Sequence, residues 1–186
     1  SCPDTPRQFD KKPFLVPIRL GLLNADGESF GLNADGDNEI MFKLSDKKQS
    51  VAFENISSKP IPALLRGFSA PVKLNYHYSD EELALLAARD TDGLIRWDAC
   101  QQLAFRVFRE PSNLLGTDAC PQEEILLTTY EKLLSEKDID PALVALMLQI
   151  PEESLLHDKK NGVDPEAIHR RRETLRSSLA EKLGAK

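Results

Sequence analysis

From Phe14 onward, apolar residues alternate with polar or small ones. Phe14, Val16, Ile18, Leu20 and Leu22 share one parity, which predicts a strand with one face toward a core. Four further alternating runs follow: "EIMFKL" (39–44), "QSVAFENI" (49–56), "IPALLRGF" (61–68) and "APVKLNYHY" (70–78). In the third run Val51 and Phe53 share a side; in the last, Val72, Leu74, Tyr76 and Tyr78 align. Pro60 and Pro62 mark the 61–68 run as an edge strand or an irregular start, because proline has no N–H for a ladder. Residues 1–13, punctuated by Pro3, Pro6 and Pro13, predict an irregular leading segment. Short strands at this spacing predict a small all-β sandwich of the immunoglobulin-like kind.

After Tyr78 the period changes to that of a helix. Ser79 and Glu82 form S-x-x-E, a capping box in which each side chain satisfies an orphan backbone N–H. The first helix is expected to end near Asp90, before "DG" at 92–93. A second, about 94–109, places Trp97, Cys100, Ala104 and Val107 or Phe108 on one stripe, with Trp97 in the core. A loop over 111–120 follows. Pro121, Pro141 (after Asp140), Pro151 and Pro165 (after Asp164) suit first helical positions. They predict helices at 121–136, 141–149, a short one after 151, and a last one to about Leu183. Ile125, Leu126, Tyr130, Leu133 and Leu134 are expected to face inward in the 121–136 helix. The chain therefore reads as two parts: a β-sandwich over 1–78, then an all-α antiparallel helical stack, a truncated α-solenoid, over 79–186. It begins with Ser and stops in "EKLGAK" without a polar capping repeat, so it is expected to be cut from something longer. Leu175, Leu179 and Leu183 are then expected to stand exposed.

Composition adds limits rather than an identity. The 186 residues are 41% hydrophobic and 29% charged, enough for a core without disulfide staples. No run of 18 apolar residues exists, so no membrane-crossing helix is expected. Residues 1–78 carry 10 Lys/Arg against 9 Asp/Glu, and 79–186 carry 14 against 21. The acidic second part argues against a nucleic-acid backbone as partner. Cys2, Cys100 and Cys120 are too few and scattered for a disulfide framework or a zinc cluster; reduced thiols in a cytoplasmic protein fit them.

Candidate chemistry is thin. A hydrolytic zinc site needs two His one helical turn apart with a Glu between. His77, His157 and His169 are far apart in sequence, which predicts surface or half-buried roles. "NADGESFGLNADGDNE" (24–39) repeats N-A-D-G after nine residues and is rich in oxygen donors. Counted as a calcium loop from Asn33, glycine comes at the fourth position and Leu44 stands where a Glu is needed, so two turns fit better. Ser69 in "GFSAP" has no His at a useful offset and reads as a turn or bulge. Cys100, on the helical stripe, reads as a small buried hydrophobe. "HRRR" (169–172) reads as a solvated face, or else as a docking surface for an acidic segment. No catalytic, cofactor-binding or metal-ligating residue is expected in these 186 residues.

Several segments are nonetheless distinctive. "PIPALLRGFSAPVKL", "YSDEEL" and "RDTDGLIRWDACQQL", all within 53–103, resemble bacterial aminopeptidase N (alanyl aminopeptidase), a zinc metallopeptidase family of the gluzincin class. "KKPFLVPIRLGLLNADG" (11–27) resembles an earlier segment of that family, and "KDIDPALVALMLQIPEE" (137–153) and "DPEAIHRRRETLRSSLA" (164–180) resemble later ones, in the same order. The resemblance implies a β-sandwich plus the first helices of the C-terminal helical domain. It implies a parent that removes N-terminal amino acids from peptides with zinc. The parent's H-E-x-x-H, its distant Glu, its G-A-M-E-N motif and its catalytic Tyr have no matching positions here. The implied partners are the missing catalytic and remaining helical domains of the same polypeptide, with peptides as the parent's substrate. The alternative is a self-standing scaffold that grips a peptide or protein.

Overall fold

The computed structural model describes residues 6–7, 12–109, 120–156 and 164–184. Cys2, His157, most of the leading segment and the 111–119 loop lie outside the described residues. Backbone packing separates two units, Ser1–Tyr76 and His77–Lys186.

The first unit is built on a three-stranded antiparallel sheet of order β2-β1-β3. Its strands are β1 (Val16–Leu23), β2 (Glu39–Leu44) and β3 (Ile61–Leu64). Leu20 of β1 stands opposite Ile40 of β2 and Leu64 of β3. The alternation read from the sequence places Leu20 and Leu22 in the core, with Val16 and Ile18 half-buried. Phe14 precedes the strand and is exposed, against its expected place on that face. Pro62 sits in β3, an edge strand, where a missing N–H costs least.

Two expected strands are absent: 49–56 and 70–78 form no ladder. Asn55 takes a left-handed φ of 60°, which interrupts the first alternation. In the second, Val72, Leu74 and Tyr76 all stand exposed, while Tyr78 and Ala70 at its two ends are buried. Alternation shows which residues can share a face; a strand also needs a neighbour to accept its hydrogen bonds. The 61–68 run likewise ends as a strand at Leu64 and turns through a short 3-10 segment at Arg66–Phe68.

The second unit holds six helices among the described residues. They are α1 (Asp80–Arg89), α2 (Gly93–Arg109), α3 (Pro121–Ser135), α4 (Pro141–Met147), α5 (Glu153–Leu156) and α6 (Pro165–Leu183). The capping box forms as read: Ser79 Oγ accepts from Glu82 N–H at 3.1 Å, and Glu82 Oε2 accepts from Ser79 N–H at 3.0 Å. Asp92 Oδ1 accepts from Leu94 and Ile95 N–H, so the "DG" that ends α1 also starts α2. Asp140 and Asp164 each accept from the backbone two residues on, one residue ahead of a proline. These caps satisfy donors that the first helical turn leaves free.

α1 and α2 pack on each other and both on α3; α4 packs on α2, and α6 on α5 and α3. The core runs through Leu83 and Leu86, Cys100, Leu103 and Val107, Leu126, Tyr130 and Leu133, Met147, and Ile168 and Leu175. Three sequence expectations shift. Trp97 is 37% exposed, because the buried stripe is centred on Arg96, Cys100, Leu103 and Val107, one step away. Leu134 faces outward, and Ile125 is half-buried at the rim. Leu175 and Leu179 are buried and Leu183 half-buried, because α6 packs against α3 and α5 instead of lying open.

Candidate functional site

The repeated N-A-D-G segments fold as two copies of one turn. Asn24 Oδ1 accepts from Asp26 and Glu28 N–H, and Asn33 Oδ1 accepts from Asp35 and Asp37 N–H. Each Asn side chain also donates to the acidic side chain four residues on, Glu28 and Asp37. Gly27 and Gly36 sit at φ of 83° and 79°, which explains why glycine follows Asp in both. The Asn24 and Asn33 oxygens and one carboxylate oxygen each of Glu28 and Asp37 are thus engaged in closing turns.

Ser69 Oγ accepts from the Arg19 backbone N–H at 2.9 Å, tying the end of the 3-10 turn to β1. His77 is exposed, and His169 Nδ1 lies 2.8 Å from Glu153 Oε1 on the surface. Among the described residues no three His, Cys, Asp or Glu side chains converge as a metal would need. Burial pushes the Cys100 thiol up to about 12, with Arg96 opposing the shift. This disfavours the thiolate, the form that attacks or ligates, at neutral pH. Burial also pushes the Tyr130 hydroxyl up, and the neighbouring Cys100 adds to it.

What the structure assembles instead is a set of arginines, Arg66, Arg96 and Arg171 buried and Arg106 half-buried, that lock elements together. Arg66 is buried beside Gly21, where a Cβ would lie 2.8 Å from its Cζ; its Nη1 is 3.5 Å from Glu39. Arg96 Nε donates to Ala87 O, one of the carbonyls left free at the end of α1, and its two Nη atoms grip Glu136 past the end of α3. Arg106 donates to the Tyr78 carbonyl at 2.6 Å and to Asp80, fixing the start of α1. Nearby, the Ser79 hydroxyl donates to Glu81 and holds its carboxyl below the usual range, helped by a backbone hydrogen bond. Arg171 Nη2 lies 2.6 Å from Glu123 Oε2, joining α6 to α3, and Ser178 Oγ donates to the other Glu123 oxygen.

The "HRRR" segment is therefore not one solvated face. His169 and Arg170 are exposed, Arg171 is 2% exposed, and Arg172 donates to Pro151 O. A signal for Arg171 was present: it falls on the helical stripe Ala167–Ile168–Leu175–Leu179, where a surface charge does not belong.

Comparison with known proteins gives a consistent result. Residues 80–186 match the family model described as "Domain of unknown function (DUF3458_C) ARM repeats", and residues 1–77 match "Domain of unknown function (DUF3458) Ig-like fold". Aminopeptidase N of Escherichia coli is 32% identical over 97% of this chain and 21% of its own length. That of Haemophilus influenzae is 32% identical over 98% of this chain and 21% of its own. A crystal structure of Legionella pneumophila aminopeptidase A in complex with aspartic acid superposes with a TM-score of 0.74 at 28% identity, covering 92% of this chain and 19% of that one. The chain thus spans about a fifth of the length of the relatives it matches.

Proposed function

The chain belongs to the DUF3458_C family of ARM-repeat domains, preceded by an Ig-like domain, and is homologous to about a fifth of bacterial aminopeptidase N; from that premise we propose that it serves as a non-catalytic portion of such an enzyme. The carrying observation is a match over 97% of this chain to 21% of the Escherichia coli enzyme. The enzyme as a whole would remove N-terminal residues from peptides, with zinc held by a domain outside residues 1–186. No step of that hydrolysis is assigned to residues 1–186; among the described ones no three His, Cys, Asp or Glu side chains converge as a metal would need.

The role of this portion is then mechanical: to join the catalytic domain to the rest of the helical domain. We place the boundary at Tyr78–Ser79, giving an Ig-like part over 1–78 and a helical part over 79–186. Support comes from the capping box at Ser79 and from Arg106, which fixes the first turn of α1. The partners are the catalytic and remaining helical domains of the same polypeptide, with peptides as its substrate. A cytoplasmic setting is favoured by the buried free thiols of Cys100 and Cys120. Sequencing the gene beyond both ends tests the reading: an uninterrupted frame carrying H-E-x-x-H upstream is expected. A start codon immediately ahead of Ser1 and a stop after Lys186 would refute it.

A further inference from the structure

Asp26–Gly27, Asp35–Gly36 and Asp92–Gly93 are the Asp–Gly bonds of the chain. An aspartyl carboxyl followed by glycine is open to attack by the glycine's own amide nitrogen, which no side chain shields. Ring closure needs a carboxyl not engaged elsewhere and a backbone free to leave its turn. The structure separates the three bonds on these two counts.

Asp92 meets neither requirement. Its Oδ1 accepts from Leu94 and Ile95 N–H. Gly93 is already the first residue of α2, and a Cβ there would lie 3.0 Å from Leu143. The Asp26 turn closes directly on the sheet. Asn24 N–H donates to Glu28 O at 2.8 Å, Phe30 N–H donates to Leu22 O at 2.9 Å, and Leu23 bridges to Ser29. Opening that turn disturbs the end of β1.

The second copy of the turn has no such stem. Residues 33–38 are all exposed and belong to no strand. Leu32 N–H to Asp37 O, at 2.7 Å, spans the base, and Gly36 N–H to Asn33 O, at 3.1 Å, closes the turn. Asp35 gives its backbone N–H to Asn33 Oδ1, while its carboxylate takes no hydrogen bond among the described residues. A Cβ on Gly36 would meet nothing within 4 Å, so the backbone there has room to rotate. Exposed segments held by few backbone bonds open at the low end of the free-energy range.

We propose that Asp35–Gly36 is a self-modification site, the Asp–Gly bond at which the folded chain isomerises to isoaspartate ahead of the other two. The Gly36 nitrogen forms a bond to Asp35 Cγ; the carboxyl hydroxyl leaves and takes the amide proton with it as water. One water then adds back to the ring. Attack at the side-chain carbonyl restores aspartate, and attack at the main-chain carbonyl leaves the backbone running through Cβ. The added methylene moves Gly36 N–H away from Asn33 O and Asp37 N–H away from Asn33 Oδ1, which loosens the connection between β1 and β2.

The test ages the 186-residue chain at neutral pH, in native buffer and in guanidinium chloride. Peptide mapping by mass spectrometry with electron-transfer fragmentation tells isoaspartate from aspartate at each position. In native buffer, isoaspartate should accumulate at residue 35 at least about fivefold faster than at 26 or 92. In denaturant the three rates should converge, because each bond joins Asp to Gly. Equal native rates, or a faster rate at 26 or 92, overturn the proposal. A native ratio that survives in denaturant overturns it as well, since flanking sequence and not the fold then sets the rate.

Discussion

Replacing Glu123 with Gln removes the carboxylate that Arg171 faces in the interior of the helical unit. Both side chains are almost wholly buried, at 1% and 3% exposure, and their atoms are 2.6 Å apart. Arg171 Nε and Nη1 have no hydrogen-bond partner among the described residues, so little else compensates its charge. Breaking a buried pair from one side costs about 3–5 kcal/mol, and this site belongs toward the upper end. Arg171→Met should cost a similar amount, by leaving the carboxylate with Ser178 as its remaining donor. The double variant R171M/E123Q removes both charges, while Gln still accepts from Ser178. It should recover most of the loss and sit within about 1–2 kcal/mol of the wild type. Urea unfolding followed by fluorescence of the single tryptophan, Trp97, reads the same unit. Singles that each cost under about 1 kcal/mol and add in the double would refute the reasoning, by showing a pair that is solvated and uncoupled.

Gly21→Ala pushes a Cβ against buried Arg66 and should cost about 1–3 kcal/mol by circular dichroism melting; a loss that persists undiminished beside Arg66→Ala would show the clash lies elsewhere. Ser79→Ala deletes the cap on α1 and should cost about 1 kcal/mol in urea unfolding, with Ser79→Asp recovering most of it; an unchanged midpoint in the alanine variant would sink the capping argument. Cys100 and Tyr130 both have raised pKa values in the folded state, so folding favours their protonated forms. Their contribution is fully present below pH 9 and drains away as pH rises toward 12, at about 1.4 kcal/mol per pH unit for each group while it titrates. Cys100→Ala should flatten that alkaline slope by about one group's share, and an identical slope in the variant would contradict the assignment.

Local chemistry was the legible part of this fold. Ser79 with Glu82, Asp140 with Pro141 and Asp164 with Pro165 each fixed a helix start from adjacent residues alone, and the structure places all three where they were read. Pairing was less legible. The 49–56 and 70–78 runs alternate as well as β1 does, yet β1 has neighbours on both edges and they have none. The buried arginines escaped notice because hydropathy sends arginine to the surface. Arg96 and Arg171 go inside, and Arg106 partly so, because each meets a carboxylate or a stranded carbonyl from a distant element. Arg96 also displaced Trp97 from its expected core position, since one stripe cannot bury both. The functional side followed a different route: distinctive segments in 53–103 indicated a family, while spacing of His, Ser and Cys indicated only what chemistry these residues lack the grouping to perform.

An aminopeptidase assay run side by side on purified residues 1–186 and on the protein encoded by the full reading frame, each supplied with zinc, separates a non-catalytic portion from an enzyme. Hydrolysis of amino-acyl amides is expected from the product of the full frame, abolished by chelation, and none from residues 1–186. Turnover that co-purifies with residues 1–186 and scales with their concentration would contradict a non-catalytic role.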